Sequence, residues 1–119
     1  MKKLVIAGLV LLIAAGVVFA QQQRFRNGNF TGEGVSYNGA TRTTDGSLTA
    51  QVTFRGNRIT QITVTNATDS PQFLNMVTAS MVPAMIQANS SDVDVVSGAT
   101  ATSNGLRAAV AAAMDQARR

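Results

Sequence analysis

Ser47-Leu48-Thr49-Ala50-Gln51-Val52-Thr53-Phe54, then Arg55-Gly56-Asn57-Arg58, then Ile59-Thr60-Gln61-Ile62-Thr63-Val64-Thr65 is the stretch on which the fold depends. Leu48, Ala50, Val52 and Phe54 alternate with Thr49, Gln51 and Thr53. Successive side chains of a strand point to opposite faces, so this pattern makes one apolar face and one polar face. Arg55-Gly56-Asn57-Arg58 is a tight reversal, and the β-branched run after it alternates again. Together they read as a β-hairpin over 47–54 and 59–65, with one face solvated and rich in threonine.

Upstream, Asn29 to Tyr37 is a glycine-interrupted strand. Thr31, Glu33, Val35 and Tyr37 fall on one face, and Phe30, Gly32 and Gly34 on the other. Glycines inside a strand mark a bulge or the close approach of another backbone or a ligand. A bent edge strand reads equally well. Asn38-Gly39 and Asp45-Gly46 are turn signals, and Arg42 lies in the loop between them.

Downstream the period changes. Asp69-Ser70-Pro71 reads as a helix start, with Ser70 as N-cap and Pro71 in the first helical position. Phe73, Leu74, Met76, Val77, Met81, Met85 and Ile86 follow at helical spacing as a core stripe, and Pro83 is expected to kink or divide the helix. A last helix is expected from about Thr102, with Leu106, Val110, Ala113, Met114 and Ala117 along one side. The expected class is α+β: a small antiparallel sheet with two helical segments packed on one face, after an N-terminal signal segment.

That segment is Met1-Lys2-Lys3 followed by an apolar run from Leu4 to Ala20. A basic start, an apolar stretch and the Val18-Phe19-Ala20 ending fit an export signal over 1–20. The alternative is an uncleaved signal anchor. Residues 21–28 read as a polar lead-in and 29–119 as the domain. Export places that domain in a periplasmic or extracellular compartment, anchored to the membrane if the signal stays.

The absences narrow the chemistry. The chain has no cysteine and no histidine, and its only lysines are Lys2 and Lys3. Disulfides, thiolate metal sites, Ser-His-Asp triads and Schiff bases are therefore excluded. Past residue 20, eight arginines face six carboxylates, a net charge of +2. Scattered along the sequence, they give no reason to expect a nucleic-acid partner. Carboxylates, hydroxyls, arginines and Tyr37 remain, a set better suited to carrying a reactive cofactor than to stand-alone catalysis.

Ser97-Gly98-Ala99-Thr100-Ala101-Thr102-Ser103 is the candidate site. It is a small, hydroxyl-bearing loop directly before a helix start, where unpaired N–H groups and the positive end of the dipole suit a phosphate. Arg107 and Arg42 are candidates to neutralise it, because the guanidinium fork can donate two parallel hydrogen bonds.

Asp94-Val95-Val96 together with that loop resembles the signature of the FMN-binding domain family. This family includes the extracytoplasmic flavin-bearing domains of Na⁺-translocating NADH:quinone reductase and Rnf-type complexes, and many small exported proteins. Gly28 to Gly34, the hairpin, the helical middle and the closing helix come in the family's order. Many members carry a Glu-Thr-Pro-Gly-type loop after the hairpin. Here Ala67-Thr68-Asp69-Ser70-Pro71-Gln72 keeps only the proline, which is closer to the small exported branch.

The resemblance implies FMN as cofactor, joined by a phosphoester to Thr100 through a dedicated flavin transferase, with Asp94 as the matching upstream acid. Ser97, Gly98, Ala99, Thr102, Ser103 and Arg107 complete the expected cofactor-binding set. No catalytic residue and no metal are expected. Among the hydroxyls, Ser97 is expected to bond the turn's own backbone and Thr102 to cap the helix, which leaves Thr100 the most accessible. The implied role is extracytoplasmic electron transfer with a redox partner protein or a quinone or reductase system. Membrane contact is expected only through the N-terminal segment, if it is retained. The competing readings are a non-catalytic exported binding or regulatory domain of the same fold without flavin, or one with non-covalent FMN.

Overall fold

The computed structural model describes residues 24–119; the expected signal segment lies outside them. Three strands form an antiparallel meander in the order β1 (Gly28–Asn38), β2 (Thr43–Arg55) and β3 (Arg58–Ala67). Two helices follow, α1 (Pro71–Ala88) and α2 (Thr100–Ala117). Both pack on one face of the sheet, α1 against β3 and α2 against β1 and β2. The α+β expectation holds.

The hairpin alternation sets the core. Leu48, Ala50, Val52 and Phe54 of the central strand are fully buried, and Ile59 and Ile62 of β3 extend the same face. From above come Val77, Met81 and Met85 of α1, and Leu106, Ala109, Val110, Ala113, Met114 and Ala117 of α2. In β3 the register skips Thr60 and Thr65, which are bulges on an edge strand.

The glycines of β1 answer the question the sequence left open. Gly32, Gly34 and Ser36 face α2, and at the two glycines no side chain fits between strand and helix. A Cβ on Gly32 would lie 2.0 Å from the Ala109 carbonyl oxygen, and one on Gly34 2.5 Å from that of Gly105. A Cβ on Gly105 would in turn meet Ser36 Oγ at 2.2 Å. Backbone therefore packs on backbone, which fixes α2 tightly against the edge strand.

Several expectations need correction. Asp45-Gly46 is not a turn: it lies inside β2, which begins at Thr43. Thr68 overrides the local turn preference. Its Oγ1 accepts from Ser47 N–H at 3.0 Å and donates to the Tyr37 carbonyl at 3.0 Å, clamping this stretch between β1 and the end of β3. Pro83 does not divide α1, which runs on to Ala88. Pro83 and Ala79, whose carbonyl loses its partner, are both exposed, so water can satisfy the freed group. Met76 is 44% exposed and outside the core stripe. Phe25, read as part of a polar lead-in, is a core residue stacked on Phe54 at 4.7 Å between ring centroids. α2 begins at Thr100, two residues earlier than expected.

Candidate functional site

α2 runs antiparallel to β1, so its first turn lies over the end of the sheet where β1 passes into β2. The contacts follow in order: Gly32 with Ala109 and Ala113, Gly34 with Gly105, Ser36 with Gly105. There Val35, Ser36, Thr44, Thr100, Ala101 and Asn104 line a groove of ≈ 400 Å³. Small-molecule sites occupy roughly 300–1,000 Å³. Val35 is 69% exposed, an apolar residue on the rim of the groove.

The start of α2 has no cap of its own. Ala99 occupies the N-cap position, and no side chain bonds the helix amides. The amides of Thr100, Ala101 and Thr102 make no hydrogen bond to any described residue. Gly98 precedes them at φ +84°, the left-handed region that glycine enters without strain, and a Cβ there would meet nothing within 4 Å. Open space therefore lies beside a helix start that still needs an acceptor.

The three hydroxyls sort clearly by environment. Thr100 is exposed and on the groove. Thr102 does not cap the helix: it is buried, 1% exposed. Ser97 is exposed, but its hydroxyl makes no bond to the turn, and it is not on the groove. Ser103 does that work instead, accepting from Val96 N–H at 3.0 Å and donating to the Ala99 carbonyl at 2.7 Å. Buried Ser103 thus pins the loop to the first turn, while Ala99 tucks under it, 6% exposed.

Asp94 does not reach the groove. It is exposed on the preceding segment and lines a separate surface depression with Asp92, Ala84 and Gln87. Arg107 donates to Asp92 Oδ1 at 2.8 Å, so its guanidinium already serves a carboxylate. Arg42 sits in the β1–β2 turn at φ 58°, two residues before Thr44, and makes no ion pair among the described residues.

Sequence reading missed the other wall of the groove. Ser36 is buried and donates to Asp69 Oδ2 at 2.6 Å, and Tyr37 N–H donates to the same oxygen at 3.2 Å. Asp69 Oδ1 is buried with no hydrogen-bond partner. Ser36 gives its only proton to Asp69, so it can offer the groove only an acceptor. A signal was available: Ser36 continues the alternation of Gly32 and Gly34, the face that meets the helix.

The family model of the FMN-binding domain matches residues 44–115, and the chain belongs to that family. FMN is its cofactor. No curated protein matches the sequence. The groove fits the group on three counts: unsatisfied amides for a phosphate, an exposed hydroxyl beside them, and an apolar rim at Val35 for a flat ring.

Proposed function

We propose, from membership of the FMN-binding domain family, that this chain is an exported electron-carrier module with FMN bound covalently through its phosphate to Thr100. The observation that carries the reading is the coincidence of exposed Thr100, three unbonded amides and the open groove at one helix start. The amides of Thr100, Ala101 and Thr102 would hold phosphate oxygens. Val35 would carry apolar ring surface, and Ser36 Oγ would accept a hydrogen bond from a cofactor donor. When bound, FMN supplies one- and two-electron transfer; the protein orients it and sets its surroundings.

An open groove favours a tether. A ligand lying on the surface leaves much of its area in water and gains little from burial, and the helix dipole contributes only about 0.3–1 kcal/mol. Outside the cytoplasm, a weakly held cofactor would be lost by dilution, and a covalent bond removes that loss. A flavin transferase acting on an activated flavin phosphate would form the Thr100 Oγ–phosphorus bond as the donor's leaving group departs. The threonine proton would pass to the enzyme. The exposed face then remains available to a redox partner.

Intact mass after coexpression with a flavin transferase tests the reading. The wild type should gain the FMN increment, and Thr100→Ala should gain none, while Thr102→Ala and Ser97→Ala keep it. An increment on Thr100→Ala overturns the attachment site. None on the wild type, in a protein that still turns yellow with added FMN, favours the non-covalent form.

A further inference from the structure

Arginines that are scattered in the sequence gather at the end of the molecule opposite Thr100. Arg119 N–H bonds the Arg24 carbonyl at 3.1 Å, and Arg26 N–H bonds the Ala117 carbonyl at 2.8 Å. Phe25 N–H bonds Asn57 Oδ1 at 3.1 Å, which brings the Arg55–Arg58 turn to the same place. Asn89 at the end of α1 closes on that turn from the other side, through Ile59 N–H at 2.8 Å and the Asn57 carbonyl at 3.0 Å. Arg24, Arg26, Arg55, Arg58, Arg118 and Arg119 therefore share one end, and all six are exposed. In the segments that meet there, 24–28, 55–58, 86–89 and 114–119, Asp115 is the one side-chain carboxylate.

Half of this set has structural work. Arg58 donates to the Ile86 and Gln87 carbonyls at the end of α1, Arg26 donates to the Gln116 carbonyl, and Arg118 pairs with Asp115 at 3.1 Å. Helix C-termini attract cations, so those three are explained by the fold. Arg24, Arg55 and Arg119 make no side-chain hydrogen bond or ion pair among the described residues. Holding like charges together this way costs stability, and for Arg24, Arg55 and Arg119 no side-chain hydrogen bond or ion pair among the described residues offsets it.

We infer that this arginine end docks on a membrane surface of anionic phospholipid headgroups. The occupant is named by where the chain leads. The apolar run ends at Ala20, and only Gln21, Gln22 and Gln23 separate it from Arg24. That is at most about 14 Å of extended chain. If the run enters a bilayer, the tether holds the six arginines within reach of the headgroups, where charge attraction is only partly screened. Each basic residue that reaches an anionic surface strengthens binding about fivefold. At 1.5 Å per residue, the 18-residue α2 spans about 27 Å. Docking by one end therefore holds Thr100 away from the surface and open to a soluble partner. The inference does not rest on FMN at Thr100, since it concerns the other end of the molecule.

Hydrogen exchange on the full chain in vesicles tests it, comparing phosphatidylcholine alone with phosphatidylcholine mixed with phosphatidylglycerol. Amides in 24–28, 55–58 and 116–119 should exchange at least about fivefold more slowly on the anionic vesicles, with those of 100–104 unchanged. High salt should abolish the difference, and so should the triple variant R24E/R55E/R119E, whose melting in solution checks that it folds. Equal exchange on both vesicles overturns the inference, as does protection at 100–104 or protection that survives in the triple variant. Protection by heparin with none by anionic vesicles also overturns it, in favour of a soluble polyanion.

Discussion

α1 begins with a carboxylate at its door, and α2 begins with none. Asp69 immediately precedes the Ser70 N-cap, is 7% exposed, and places negative charge near the positive end of the α1 dipole. Pro71 follows with no amide proton to satisfy, and Ser70 packs against the close backbone at Gly39. Before α2, the residues from Val95 to Ser103 hold no acid, the cap is Ala99, and three amides stay unbonded. Neither N-cap residue bonds the helix amides through its side chain, but one start has negative charge supplied by the chain itself. The other has no such charge from the chain, and it is there that the proposed FMN phosphate would bind.

The contrast depends on α2 being held where its first turn overlooks the groove. Gly34→Val should break it with the largest effect on folding. Valine has the better strand propensity, by up to about 1 kcal/mol, so propensity alone forecasts a more stable protein. A side chain there starts 2.5 Å from the Gly105 carbonyl oxygen and must push strand and helix apart. A loss of at least about 3 kcal/mol is expected in urea unfolding. An unchanged or raised midpoint would show that backbone contact with β1 does not position α2.

The charge beside the α1 start can be removed. Asp69→Ala removes the acceptor of both Ser36 Oγ and Tyr37 N–H, leaving two donors buried or half-buried. The expected cost is about 1–3 kcal/mol. Ser36→Ala and Asp69→Ala should be less than additive when combined, because each removes the same 2.6 Å bond. Strict additivity would mean that the Ser36–Asp69 bond contributes nothing and that Asp69 acts through its charge at the helix start and its bond from Tyr37 N–H alone.

The same contrast shows what the sequence could and could not disclose. The 47–65 hairpin, both helices and the turn at Ser97–Gly98 are local patterns, and local patterns are legible. The groove is not local: Val35, Ser36 and Thr44 reach Thr100 only because three glycines let β1 and α2 touch. Gly32 and Gly34 signalled a close approach without naming what approached. Asp45-Gly46 misled because Thr68, more than twenty residues away, holds it as strand. Thr102 read as a cap by its position, and Ser97 as a bonded turn residue, until Ser103 proved to be the hydroxyl that ties the loop. The arginines looked scattered because chain ends and a hairpin tip meet only after folding.

The smallest expected effect comes from closing the open start. Ala99→Ser would place a hydroxyl at the N-cap of α2, where an oxygen can accept from the amides of the first turn. The site is tight, since Ala99 is 6% exposed, but serine adds only one atom. A cap replacing alanine contributes about 0.5–2 kcal/mol, and the low end applies here because Ala99 has ψ 45° and not the extended geometry of a good cap. In flavin-free protein, melting should rise by roughly 2–4 °C for a domain of this size. In flavin-loaded protein the rise should vanish if, as proposed, the phosphate occupies the amides the new hydroxyl would use. Paired thermal melts of the two forms make the comparison. An equal rise in both forms would mean that the phosphate does not bind the helix start, and that α2 is open for some other reason.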